Sequence, residues 1–229
     1  MDRLSRSPRP PAFRDRIDAG MQLAERLRPR VSTLPLDDVV VIGLARGGVV
    51  VAAEVAYLLG ARLEAMVVRK LGAPGQPELA IGAITAGTGR VLNRALIADL
   101  QLSEPQVERI TEQAREEARA LSRELGIRPE GQDVAGRTAV LVDDGLATGA
   151  TMRVAIDAAY AMGAARVIVA VPVAPLSMIE PFRTVADEVV AVIATNQLNA
   201  VGRWYEVFEN VPSSTVRSIL DTARRTREV

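Results

Sequence analysis

At 229 residues the chain can bury a sizeable core as one domain with a small appendage, and 28 basic residues balance 28 acidic ones, so no global field favours nucleic acid or an acidic membrane. Neither cysteine nor histidine occurs, which excludes disulfides, a thiol nucleophile, a Ser-His-Asp or Cys-His arrangement, a zinc site of the usual ligands and a histidine general base. Chemistry is left to carboxylates, hydroxyls, Arg, Lys, the backbone and a hard cation.

Residues 1–11 are rich in Arg, Ser and Pro with little to bury, and a disordered tail over residues 1–12 is expected. A nucleic-acid arm is the alternative, but no aromatic interleaves those arginines. No continuous apolar core marks a signal peptide and no apolar run reaches the length of a membrane span, so a soluble, cytoplasmic protein is expected. Ile17, Met21, Ala24 and Leu27 recur at helical spacing and predict a first helix that covers the sheet or an interface.

Val39-Val40-Val41-Ile42-Gly43-Leu44 reads as a buried strand, followed by a helix over 49–59. Between them stands Ala45-Arg46-Gly47-Gly48. These glycines lack the G-x-G-x-x-G spacing of a dinucleotide fingerprint. They would let the backbone turn tightly against an anionic group with Arg46 facing it; the alternative is an ordinary turn with a solvated arginine. A second strand over 62–68 ends in Arg69-Lys70. Lys70 is the single lysine among the 28 basic residues, and Lys and Arg are not interchangeable where a compact cation is needed. It is therefore a candidate site residue, with an exposed surface lysine as the alternative.

Residues 71–80 are rich in Gly and Pro and read as a loop that orders on binding. Glu78 is its one acid, either a general base toward an incoming nucleophile or a solvated loop acid. Residues 80–85 and 90–93 read as a β-hairpin. Ser103 and Gln106 form a capping box for a long helix over 104–125 with a charged, solvated face, ended by Gly126 and Pro129.

The most informative stretch follows. Thr138-Ala139-Val140-Leu141-Val142 has the β-branching of a strand covered on both faces, and Asp143-Asp144 falls at its C-terminal tip, where open α/β sheets hold ligands. Ala147-Thr148-Gly149-Ala150-Thr151 then forms a small-residue turn into a helix. Its backbone N–H groups and hydroxyls could converge on a phosphate at the helix N-terminus. The spacing suits a ribose 5-phosphate: Thr148, Gly149, Ala150 and Thr151 on the phosphate, Asp143 and Asp144 on sugar hydroxyls or a cation. A plain strand–turn–helix junction is the alternative.

Beyond it, a helix over 151–162, a strand over 166–171 broken by Pro172 and Pro175, a short helix over 176–185 and a strand over 187–194 are predicted. Thr195, Asn196, Gln197 and Asn199 cluster neutral polar groups at that strand tip. Trp204 or Tyr205 could stack on a ligand, or else pack in the core or a dimer contact. Ser213 or Ser214 is expected to cap a terminal helix. The alternation of elements predicts an α/β fold, an open, mostly parallel twisted sheet with helices on both faces.

Residues 140–152, four apolar positions, two acids and a small-residue loop, resemble the phosphoribosyl-pyrophosphate (PRPP) signature of the type I phosphoribosyltransferases. Gly43-Leu44-Ala45-Arg46-Gly47-Gly48 is similar to the pyrophosphate loop of that family, most closely of its xanthine–guanine members. The chain as a whole resembles a branch of bacterial phosphoribosyltransferases in which the segments around Phe13-Arg14-Asp15-Arg16, Val68-Arg69-Lys70 and Ala200-Val201-Gly202 recur. The resemblance covers most of residues 39–194. It implies a phosphoribosyltransferase-like domain over 13–229, with a small hood built from the N-terminal helix and residues about 195–229.

It implies a transfer of the 5-phosphoribosyl group from PRPP to a nitrogenous acceptor such as a nucleobase, with pyrophosphate released through an oxocarbenium-like transition state. Ala147, Thr148, Gly149, Ala150 and Thr151 would hold the 5-phosphate. Ala45, Arg46, Gly47, Gly48 and Lys70 would hold the pyrophosphate, with Mg²⁺ near Asp143 and Asp144, through water or substrate oxygens. A flexible loop over 69–80 would close over the site. Hypoxanthine–guanine-type members carry an Asp where this chain has Ala147, so the purine-serving acid is missing and the acceptor is not legible. A homodimer is compatible with the aromatic cluster. The alternative function is a PRPP- or nucleotide-sensing protein of the same fold without transferase activity.

Overall fold

The structure is a computed structural model that describes residues 12–87, 89–128 and 133–226, leaving aside the side chains of Pro77 and Glu78. The tail expected over 1–12 therefore lies, but for its last residue, outside the described residues. The strands are β1 (Val39–Leu44), β2 (Arg62–Met66), β3 (Val68–Ala73), β4 (Gln76–Thr85), β5 (Arg90–Leu92), β6 (Thr138–Val142), β7 (Arg166–Pro175) and β8 (Glu188–Thr195). The helices are α1 (Arg16–Val31), α2 (Gly47–Leu59), α3 (Arg94–Asp99), α4 (Glu104–Leu125), α5 (Ala150–Ala161), α6 (Leu176–Arg183) and α7 (Ser213–Arg225).

β1 and β6 are buried along their whole lengths. Alternate side chains of these β-branched runs go to opposite faces. Val40, Ile42 and Leu44 pack with Ala139, Leu141, Val167 and Val169 on the face covered by α5 and α6. Val39 and Val41 pack with Val140, Val142 and Ile168 on the other, under Leu23 and Leu27 of α1 and Val51 and Val55 of α2. The sheet order is β2-β1-β6-β7-β8, all parallel. The predicted α/β fold, a parallel sheet with helices on both faces, is what the chain forms. From β1 the chain moves through α2 to β2 on one side; from β6 it moves through α5 to β7 on the other. The order thus reverses between neighbours β1 and β6, and the crevice beyond their C-terminal tips is where such a sheet takes a ligand.

β3, β4 and β5 form a separate antiparallel sheet. It corrects the loop expected over 69–80: Lys70 pairs with Ala83 and Ala73 with Gln76, around a turn at Pro74-Gly75 where Gly75 has φ +73°. Leu71, Ala73, Ile81 and Ile84 bury their side chains beneath Ala114 and Ala118 of α4 and Val216 and Leu220 of α7. Those apolar anchors outweigh the Gly and Pro content, which shows in the Pro74-Gly75 turn and in an irregular register at residues 71–73. Lys70 consequently lies within a strand rather than at a strand end.

Other boundaries differ for local reasons. β7 runs straight through Pro172, yet the ladder to β8 pairs Val171 and Val173 and passes over Pro172, which has no N–H to give. α1 starts at Arg16, where the preceding Asp15 side chain accepts from Asp18 N at 2.9 Å. It buries Ala19, Leu23, Ala24 and Leu27, while Ile17 and Met21 face outward. α3 is a helix the periodicity did not predict, begun by Asn93 accepting from Leu96 N. The expected start of α4 holds, with Gln106 Oε1 accepting from Ser103 N at 2.8 Å. At α7 the residue before the helix is Pro212, so neither Ser213 nor Ser214 caps it. Among the described residues no helix is long and apolar enough to cross a membrane.

Candidate functional site

Two loops meet in the β1/β6 crevice. One, residues 45–48, leaves β1 with a cis peptide between Ala45 and Arg46 and enters α2 at Gly47. The other, residues 143–149, leaves β6 and enters α5 through Gly149 at φ +74°. Their backbones nearly touch. A methyl group at Gly47 would sit 2.0 Å from Oδ2 of Asp144, and one at Gly48 would sit 2.7 Å from the Val142 carbonyl and 2.9 Å from Asp143 Cα. The glycines are needed for this approach, a reason that lies on the far strand and not in the turn itself.

The carboxylates differ in their surroundings. Asp143 Oδ1 accepts from the Asp144 backbone N–H at 2.9 Å. Asp144 Oδ2 accepts from Arg16 Nε at 2.9 Å and lies 2.8 Å from Arg16 Nη2. Burial pushes the Asp143 carboxyl well above its usual range and the neighbouring Asp144 charge adds to this, against the Asp144 N–H and Arg16. Burial also raises Asp144, with the Arg16 guanidinium pulling the other way.

The phosphate-loop candidates line a cavity of about 180 Å³ formed by Thr148, Gly149, Ala150, Arg153, Met178, Pro181 and Phe182. A side chain at Gly149 would strike Met178 and Phe182, at 2.6 and 2.7 Å. Backbone N–H groups at the start of a twelve-residue helix, a threonine hydroxyl and the adjacent Arg153 make this cavity suited to an anion. Thr151 lies in the first turn of α5, and Ala147 is exposed at the loop tip.

Of the remaining candidates, Ala45 is anchored by donating its N–H to the Met66 carbonyl at 2.9 Å. Arg46 is exposed at the start of α2, where its carbonyl accepts from Val49 N at 3.2 Å, and its side chain makes no hydrogen bond or ion pair among the described residues. Lys70 is exposed on β3 and belongs to the second, antiparallel sheet, where its strand partner is Ala83. The Glu78 side chain, the candidate general base, lies outside the described residues. The Asp143–Asp144 pair, the 45–48 loop and the 147–151 turn are brought together.

Tyr205 does not present its ring to the crevice. It is 5 % exposed, packs between Phe13 and Phe208 at centroid distances of 5.2 and 4.8 Å, and donates its hydroxyl to the Asp144 carbonyl at 2.5 Å. Val201 closes over Gly145, where a methyl group would lie 2.4 Å from its Cγ1. No motif in the sequence singles out Arg16 or Arg153 as a site residue. Arg16 lies within the recurring Phe13-Arg14-Asp15-Arg16 segment, and Arg153 stands two residues beyond Thr151 of the phosphate loop.

The family model for the phosphoribosyl transferase domain matches residues 15–205. The chain belongs to that family. A Mycobacterium tuberculosis H37Rv protein named "Putative phosphoribosyl transferase Rv0571c" is 43% identical over 216 residues, which are 93% of this chain and 47% of that protein. The chain spans about half the length of the curated relatives it matches. Among solved structures, TT1426 from Thermus thermophilus is 43% identical with a TM-score of 0.75, over 91% of this chain and 97% of that one. The AQ2163 protein from Aquifex aeolicus shares the fold at 12% identity and a TM-score of 0.50, over 84% and 86% of the two chains.

Proposed function

We propose that the protein transfers the 5-phosphoribosyl group of PRPP to a ring nitrogen of a nucleobase-like acceptor. The bond from C1 of the ribose to pyrophosphate breaks, the C1–N bond forms, and the acceptor's proton leaves to a base. The observation that carries this reading is the convergence of the 45–48 loop and the acid-bearing 143–149 loop at one crevice, close enough that Gly47 and Asp144 leave no room for a methyl group between them.

Residues 147–151 take the 5-phosphate, Asp143 and Asp144 accept from the ribose hydroxyls, and the backbone of 45–48 with Arg46 and Lys70 holds the pyrophosphate. The acids lie beside C1, where positive charge develops as the bond breaks. Mg²⁺ would neutralise the pyrophosphate. Among the described residues no cluster of three or more metal-ligating side chains occurs, and the donor set of two adjacent carboxylates fits an ion held largely by water and substrate oxygens. Ala147 carries no acid, so Glu78 remains the candidate base unless the acceptor arrives nucleophilic. The same reading takes residues 13–229 as one catalytic unit with its hood from the N-terminal helix and residues about 195–229, working in the cytoplasm, where a multiply charged donor is retained.

Pyrophosphate release from PRPP and Mg²⁺ across a panel of purines, pyrimidines and other nitrogen heterocycles tests the reading. Acceptor-dependent release with a matching nucleotide product supports it. Tight PRPP binding with no turnover on any acceptor would favour a sensor instead.

A further inference from the structure

Arg16, the first residue of α1, is fixed from several directions. Its guanidinium lies 3.9 Å from the centroid of the Phe208 ring, and Nη1 donates to the Glu209 carbonyl at 2.8 Å. Nε and Nη2 both converge on a single oxygen of Asp144, Oδ2, at 2.9 and 2.8 Å. Gly47 closes on the same two groups: a methyl there would lie 2.0 Å from Oδ2 and 3.0 Å from Arg16 Nε. The pair is shielded, with the Arg16 and Asp144 side chains 12% and 18% exposed. No other described residue hydrogen-bonds to Oδ1 of Asp144, although the backbone N–H of Asp144 itself acts on the carboxyl.

Resting on the phosphoribosyl reading above, we propose that Arg16 is a positioning residue: it pins Oδ2 of Asp144 against the Gly47 backbone so that Oδ1 is presented, already oriented, to a hydroxyl of the bound ribose. A free carboxylate would rotate about its terminal bond and would lose that freedom only when the sugar arrived. One whose second oxygen is anchored gives the hydroxyl an acceptor in a set place. The planar fork of Arg suits the role, because it reaches Asp144 and Glu209 from different nitrogens while its face rests on Phe208. Arg16 also borders the loop assigned to pyrophosphate, so the ligand class must be separated in the test.

The full-length chain is titrated calorimetrically with ribose 5-phosphate and, separately, with magnesium pyrophosphate. Arg16→Gln is expected to weaken ribose 5-phosphate binding roughly tenfold or more while leaving pyrophosphate binding unchanged. Phe208→Leu, which keeps the guanidinium but removes its platform, is expected to weaken the same ligand about threefold and guards against misfolding of the first variant. Unchanged or tighter ribose 5-phosphate binding by Arg16→Gln would overturn the inference, the tighter case showing that Arg16 blocks the acid. Equal loss of both ligands would also overturn it, since a purely structural residue acts that way. Wild-type protein that binds neither PRPP nor ribose 5-phosphate would overturn the phosphoribosyl reading and this one together.

Discussion

Asp144 is joined to the Arg16 guanidinium while Asp143 accepts from a backbone N–H; strand, acids and small-residue turn are contiguous, so the acids are legible in the sequence and their partners are not. Arg16 reaches Asp144 across 128 positions of sequence, a distance no periodicity or spacing rule spans. That contact changes what substitutions should do. Asp144→Asn removes the charge that compensates a shielded guanidinium, so it should cost about 1–3 kcal/mol in chemical denaturation as well as ribose-phosphate affinity. Asp143 forms no ion pair among the described residues and its carboxyl is raised by burial, so Asp143→Asn should stay within about 1 kcal/mol of the parent. Equal destabilisation by the two would show that the Arg16 pair contributes nothing. Gly47→Ala makes the complementary test. Its methyl must push Oδ2 of Asp144 from a position 2.0 Å away, so PRPP affinity should fall by roughly tenfold or more in a protein whose circular dichroism is unchanged. Parent-like affinity would mean that the loops separate without consequence.

Local chemistry makes α4 legible in the sequence, whereas packing decides the 69–80 segment. α4 begins where Ser103 and Gln106 predict because its cap is built from neighbours in sequence. The 69–80 segment looked like a loop from its Gly and Pro content, yet it becomes β3 and the start of β4 because α4 and α7 give Leu71, Ala73 and Ile81 something to bury against. At the other face, side chains tie α5 to the sheet. The Tyr160 hydroxyl donates to Asp187 Oδ2 at 2.8 Å, and the same oxygen accepts from Val167 N at 2.8 Å. Burial raises Asp187, but the Val167 N–H, the Tyr160 hydroxyl and Arg166 outweigh it and hold the carboxyl below its ordinary 3.8. Burial and the Asp187 hydrogen bond push Tyr160 up to about 12. A depressed acid stabilises the fold above its unfolded value and ceases to do so as pH falls through the lower folded one. A raised phenol stabilises below its unfolded value of 10.0 and ceases to as pH rises through about 12. Asp187→Asn should therefore flatten the acid limb of the stability–pH curve below pH 3.8 and lower the Tyr160 ionisation in an absorbance titration against Tyr160→Phe. A Tyr160 ionisation unmoved by that change would assign its shift to burial alone.

At the scale of the whole molecule, what sequence could not supply was adjacency. β1 and β6 lie side by side although β2 to β5 and the helices among them separate the two in the chain, and that adjacency joins the two loops of the site. The described N-terminal segment meets the region after β8 over the same crevice. Phe13 N donates to the Trp204 carbonyl at 3.0 Å, Glu206 N to the Phe13 carbonyl at 2.9 Å and Val207 N to the Arg14 carbonyl at 2.8 Å. Arg16 and Tyr205 then connect this ribbon to Asp144, through its side chain and its carbonyl respectively. The ribbon and the acid loop should accordingly loosen together when the Tyr205 hydroxyl is removed. In Tyr205→Phe, native-state hydrogen exchange should quicken at Phe13, Glu206, Val207 and Leu146, reflecting a local loss of about 1 kcal/mol. Amides within β1, β6 and β7 should keep the parent rates, because their burial on both faces does not depend on that hydroxyl. Quickening confined to residues 205–207 would mean that the hood rests on the site without being coupled to it, whereas quickening spread evenly through the parallel sheet would make Tyr205 a support of the fold as a whole. The selective pattern is expected because the Tyr205 hydroxyl holds the acid loop by its backbone, whereas Arg16 holds it by the carboxylate proposed to take the ribose.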